Sequence, residues 1–126
     1  MLVLDSGGVS KLAERSRQAA ALILALREQN LWPPAIPSIV LVECLRGHAG
    51  LDAMANRFLK MCDVVEETPE PLARRAALLR RKARRGSAVD AVVVASAEPG
   101  GTILTSDLGD ITALATHADG VSVERI

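Results

Sequence analysis

Short aliphatic runs alternate with longer amphipathic stretches along the whole of this chain, and that alternation limits the possible folds more than any other feature. Leu2-Val3-Leu4, Ala35-Ile36-Pro37, Asp63-Val64-Val65-Glu66, Thr102-Ile103-Leu104-Thr105 and Val121-Ser122-Val123-Glu124 have the length of strands. The stretches between them have the length of helices. Strands joined by helical crossovers make a parallel sheet covered by helices. The expected fold class is therefore α/β, with a central, mostly parallel sheet flanked by helices.

Punctuation along the chain refines this expectation. Gly7-Gly8 is expected to end the first strand, and Val9 to about Gln29 reads as a helix with Leu12, Ala19, Ile23 and Leu26 near helical spacing. After the break at Trp32-Pro33-Pro34, Ser38 opens a helix carrying Val42, Glu43 and Leu45 that runs to Gly47 or Gly50, and Leu51 to Met61 is helical again. Pro69 or Pro71 opens a basic helix that Gly86 ends, Ser87 caps one that stops at Pro99-Gly100-Gly101, and Ser106 caps one reaching about His117. There is no internal repeat, low-complexity segment or linker, so 126 residues read as one domain, 1–126.

Composition narrows the function. The chain is 49% hydrophobic with Trp32 and Phe58 as its only aromatic residues, which argues against a base-stacking platform. Basic and acidic residues number 15 each, so affinity for nucleic acid must come from segregated charge. Segregation is present: Arg74, Arg75, Arg80, Arg81, Lys82, Arg84 and Arg85 fall in one stretch. Such a stretch is either a solvated helix face or a surface for phosphates or an acidic protein. Cys44 and Cys62 lack metal-ligand spacing and read as free buried thiols. The start lacks the basic region and long apolar core of a signal peptide, and no uncharged run is long enough to span a membrane, so a soluble cytoplasmic protein is expected.

Five acids stand where apolar runs begin or end. Asp5 follows Leu2-Val3-Leu4, Glu43 follows Ile39-Val40-Leu41-Val42, Asp90 precedes Ala91-Val92-Val93-Val94-Ala95, and Asp107 and Asp110 follow the strand ending at Thr105. Each has a local explanation. Asp5 suits an Asx-turn or helix cap, Glu43 an ion pair with Arg46, Asp90 a capping box with Ser87, and Asp107 and Asp110 the first turn of a helix. Gathered in one pocket they would need a divalent cation, because unit charges about 4 Å apart repel by roughly 4 kcal/mol at an effective dielectric near 20. Hard cations such as Mg²⁺ take carboxylate oxygens.

The order of these acids along the alternating chain resembles the PIN-domain family, in particular its short single-domain members, the VapC-type toxins of bacterial toxin–antitoxin pairs. The matching segments are Val3-Leu4-Asp5-Ser6, Val40-Leu41-Val42-Glu43-Cys44-Leu45, Ala88-Val89-Asp90-Ala91 with its apolar continuation, and Ile103-Leu104-Thr105-Ser106-Asp107-Leu108-Gly109-Asp110-Ile111. Together they span essentially the whole chain. The resemblance implies a single PIN-like domain and a Mg²⁺- or Mn²⁺-dependent endoribonuclease. Its acidic quartet falls on Asp5, Glu43, Asp90 and Asp107, with Asp110 accessory. Asp5 and Asp90 are implied as direct metal ligands, and Glu43 and Asp107 as holders of a second metal or its waters. Ser6 and Thr105 match polar positions near the acids, whereas Gly7-Gly8 departs from the bulkier residues of many relatives. It also implies an RNA substrate, a cognate antitoxin protein and a homodimer.

Two other classes remain beside this one. A non-catalytic RNA- or protein-binding module of the same fold would use the Arg74 to Arg85 stretch and leave the acids idle. An aspartate-based phosphotransfer protein is disfavoured, since no second acid follows Asp5 at short spacing and the only lysines are Lys11, Lys60 and Lys82. His48 and His117 have no companion at catalytic spacing, which disfavours metal-free, histidine-based RNA cleavage.

Overall fold

The computed structural model describes residues 1–126. Five strands, β1 (Leu2–Leu4), β2 (Ala35–Pro37), β3 (Asp63–Val65), β4 (Thr102–Thr105) and β5 (Ser122–Arg125), form one sheet in the order β3-β2-β1-β4-β5. Every pairing is parallel, so the sheet is wholly rather than mostly parallel. Seven helices flank it: α1 (Ser6–Ala13), α2 (Arg17–Glu28), α3 (Leu41–Cys44), α4 (Ala53–Leu59), α5 (Glu70–Ala83), α6 (Ala88–Ala97) and α7 (Leu108–Ala115). The architecture is α/β, as the alternation predicts, and it is consistent with the PIN-like fold that the resemblance implies.

The aliphatic runs become strands because both faces of the sheet are covered. Leu2, Val3 and Leu4 are all buried, as are Ile36, Ile103 and Leu104, which is the continuous apolar pattern of a parallel strand rather than an alternating one. Side chains from Val9 and Leu12 of α1, Leu79 of α5, Val93 and Val94 of α6, and Ile111 and Leu114 of α7 join them in one cluster. The apolar run at Ala91 forms α6, whose Ala91, Val93, Val94, Ala95 and Ala97 are buried, and this helix packs against β1, β2 and β4. It carries Asp90 in its first turn, so the acid is held at the edge of the core.

Several boundaries differ from the sequence reading. Gly7 and Gly8 lie inside α1 rather than in a turn, and α1 packs so closely on β4 that a Cβ on Gly8 would come within 2.6 Å of the Leu104 carbonyl oxygen. The single helix expected from Val9 to Gln29 is two. Glu14 turns extended, and Ser16 restarts the chain as the cap of α2, its hydroxyl accepting the Ala19 N–H at 3.0 Å. The helix expected from Ser38 to Gly47 or Gly50 is a 3-10 turn, Ser38–Val40, followed by the four residues of α3. It stops at Cys44 because Leu45 is extended, and the buried carboxylate of Asp52 takes the N–H groups of Arg46 at 2.8 Å and His48 at 3.1 Å. Asp107, not Ser106, caps α7. The thiols of Cys44 and Cys62 are free as expected, but only half-buried. No helix is long and apolar enough to cross a membrane.

Candidate active site

The sheet order explains where the acids go. The chain runs outward from β1 to β2 and β3, then returns to place β4 on the other side of β1. The carboxyl ends of β1 and β4 therefore flank a topological switch point, the usual ligand crevice of an open α/β sheet. Asp5 follows β1 and Asp107 follows β4, with Leu4 and Leu104 in register beside each other. Glu43 arrives from α3, beyond β2, and Asp90 from α6, which crosses beneath β1, β2 and β4. All five acids line one cavity of about 300 Å³, together with Ser6, Gly7, Ser87, Ser106 and Ile111.

Asp5 is the most constrained member. It is 7% exposed and caps α1, with one carboxylate oxygen accepting the Gly8 N–H at 2.7 Å and the other accepting the Thr105 hydroxyl at 2.5 Å. Burial raises its pKa above the ordinary 3.8; the hydrogen bonds from Thr105 and Gly8 oppose that rise, and the nearby charges of Asp90 and Asp107 add to it. Thr105 Oγ1 also accepts the Asp107 N–H at 3.0 Å, so one buried hydroxyl ties the ends of the two central strands together.

Local explanations for the other acids also hold. Ser87 and Asp90 form a reciprocal capping box, the Asp90 N–H donating to Ser87 Oγ at 3.0 Å and the Ser87 N–H to Asp90 Oδ2 at 3.2 Å. Asp107 Oδ1 accepts the Gly109 N–H at 3.1 Å as the cap of α7, and Asp110 Oδ1 accepts from Arg85 Nε at 2.7 Å. Each of these three keeps its second oxygen free of protein donors. Glu43 is exposed, and the ion pair expected with Arg46 is absent from the salt bridges of the chain.

A hard divalent cation matches this donor chemistry. Eight of the ten lining residues are carboxylates or serines, and burial, with a smaller contribution from the charges of Asp90 and Asp107, disfavours the charged form of Asp5, which a cation would offset. Their placement is less closed than the donor chemistry: no three of the His, Cys, Asp and Glu side chains converge tightly enough to share one ion as they stand. Two lining residues, Ser87 and Ser106, and the neighbouring Arg85, bonded to Asp110, join the site from positions that the sequence presents only as helix caps and as one cation of a basic stretch.

No protein-family model and no curated protein sequence matches the chain. Solved structures of similar fold do exist. One is the VapBC2 complex of Rickettsia felis bound to a DNA fragment from its promoter, with a TM-score of 0.69 and 12% identity over 100% of this chain and 99% of that one. FitAcB of Neisseria gonorrhoeae gives 0.64 and 19% over 98% and 96%, and FitAB bound to the IR36 DNA fragment gives 0.62 and 21% over 99% and 94%. These likenesses support the fold and correct the family expected from the sequence. The similar structures are antitoxin-containing complexes, two of them on DNA, and identities of 12 to 21% reach the fold alone. They do not support membership of the VapC-type toxins of the PIN-domain family.

Proposed function

We propose that the chain is a metal-dependent endoribonuclease working beside a partner protein in an assembly of the toxin–antitoxin kind. The observation that carries this reading is that acids from four separate segments line one crevice at the β1/β4 switch point. Capping accounts for individual acids but gives no reason for all of them to share one cavity. Support for a partner protein comes from the VapBC2 and FitAB structures, each of which includes a chain of similar fold.

Mg²⁺ or Mn²⁺ would supply Lewis-acid polarisation of the scissile phosphate and an activated water. The residues of the chain provide the rest. Asp5 and Asp90 are the first candidates to hold the ion, with Glu43 and Asp107 holding a second ion or ordered water. Asp5 needs no reorientation, since the Gly8 N–H and the Thr105 hydroxyl already fix its carboxylate. Glu43 has no hydrogen bond within the chain and is the acid freest to take a proton from water. RNA cleavage is expected with Mg²⁺ or Mn²⁺, and its loss in both Asp5→Asn and Asp90→Asn. Cleavage that survives both substitutions, or persists in excess chelator, contradicts the reading.

A second reading, a non-catalytic RNA- or protein-binding module in the same kind of assembly, draws support from one observation. Asp90, Asp107 and Asp110 are each already engaged by a cap or by Arg85. Such a module would show no cation-dependent rise in melting temperature.

A further inference from the structure

The basic stretch is not uniform once its partners are known. Arg74 pairs with Glu70 at 2.7 Å on the exposed face of α5, and Arg75 makes a two-point contact with Glu98 at 2.8 and 2.7 Å. Arg80 Nε donates to the Gly86 carbonyl at 3.1 Å, while Arg81, Lys82 and Arg84 make no ion pair. Free cations thus gather at the C-terminal end of α5, and the chain passes from there through Arg85 and Gly86 to Ser87, which lines the acidic cavity.

Arg85 stands at that junction. Its Nε is 2.7 Å from Asp110 Oδ1, the only bond it makes within the chain, so its remaining N–H donors are unused. The guanidinium lies over the first turn of α7, where a Cβ on Gly109 would come within 3.2 Å of its Nη2. That is the electropositive end of a helix, an unfavourable place for a cation unless a carboxylate holds it there. Asp110, on the same turn, does so.

We propose that Arg85 is the phosphate-binding residue at the mouth of the cavity, and that Asp110 positions Arg85 rather than serving as a ligand or catalytic acid. The planar fork of Arg85 can keep Asp110 on Nε while its terminal nitrogens take two oxygens of a phosphodiester. A single RNA strand then runs from the free cations of α5, past Arg85, to Asp5 and Asp90. This inference rests on the nuclease reading for its substrate.

The test uses the intact chain in chelator with a short fluorescein-labelled single-stranded RNA, titrated by anisotropy over a range of salt. Arg85→Ala is expected to weaken binding about tenfold and to lower the log–log salt slope by about 0.7, one phosphate contact on a single strand. Arg85→Lys should recover part of the affinity. Arg74→Ala, whose partner Glu70 lies away from the cavity, should change neither quantity. In cleavage with Mn²⁺, Arg85→Ala should raise KM more than it lowers kcat, and Asp110→Asn should retain most of kcat whereas Asp5→Asn retains none. Unchanged affinity and slope in Arg85→Ala, or no RNA binding by the parent chain, overturns the inference. Arg85-dependent binding by a chain that never cleaves overturns the nuclease reading and leaves Arg85 as a phosphate contact.

Discussion

Replacing Asp5 by asparagine should make the protein more stable while ending its activity. The carboxylate is buried, and Asp90 and Asp107 share its cavity, so its charged form is disfavoured and its pKa lies above the ordinary value. Asparagine removes the charge without breaking the local bonding. Its carbonyl oxygen can accept the Gly8 N–H, and its amide can donate to Thr105 Oγ1, freeing the Thr105 hydroxyl to donate to the Asp107 carbonyl, already 3.0 Å away. Relief of a strained functional charge typically stabilises by about 1 kcal/mol, and a domain of this size melts about 4 °C higher per kcal/mol. Thermal denaturation near pH 7.5 in chelator should therefore place Asp5→Asn about 4 °C above the parent. The gain should depend on pH in a set direction. With the folded pKa above the unfolded one, the native parent binds the extra proton between the two values, so its stability rises as pH falls through the folded pKa and levels off below the unfolded one. The advantage of Asp5→Asn should thus be largest at neutral pH and shrink toward the ordinary carboxylate range. A variant that melts below the parent at pH 7.5, or an advantage that grows as pH falls, refutes the account of Asp5 as a charge held against its environment.

Two further outcomes test the scaffold. Leu79 of α5 is fully buried in the common core, so Leu79→Ala should cost about 2 to 5 kcal/mol, read from the midpoint of urea unfolding. The hydrogen bond from Arg75 holds Glu98 below the ordinary carboxylate range, and Glu98 also accepts the Asp119 N–H at 2.7 Å. Its contribution is present above the unfolded pKa and is lost as pH falls through the folded one, so Glu98→Gln should destabilise at pH 7 and differ little from the parent in strong acid.

The strands were legible because a parallel sheet buries both faces and so leaves continuous aliphatic runs, as in Leu2-Val3-Leu4 and Ile103-Leu104. Helix α6 and its capping box were equally plain at Ser87 and Asp90. Errors arose where long-range contacts decided the outcome. Gly7-Gly8 reads locally as a turn but sits in α1, where Gly8 leaves room for the Leu104 carbonyl of β4, and α3 stops early because Asp52, eight residues past Cys44, collects backbone donors from the intervening loop. The cavity lay beyond local reading for a related reason. Sequence order places Asp5 a hundred residues from Thr105, and only the return of β4 to the side of β1 joins them. The role of Arg85 was hidden because its partner, Asp110, belongs to another helix. The five acids stood out at the ends of apolar runs, whereas the family resemblance drawn from their order claimed a membership that the similar structures do not support.

On the proposed function, the acids of the switch-point cavity hold a divalent cation. Calorimetric titration of the parent chain and of Asp5→Asn with Mn²⁺, at neutral pH and without RNA, tests it most directly. Saturable binding is expected in the parent, abolished by Asp5→Asn and unchanged by Arg74→Ala. No heat of binding in the parent, or binding that persists in Asp5→Asn, would contradict it.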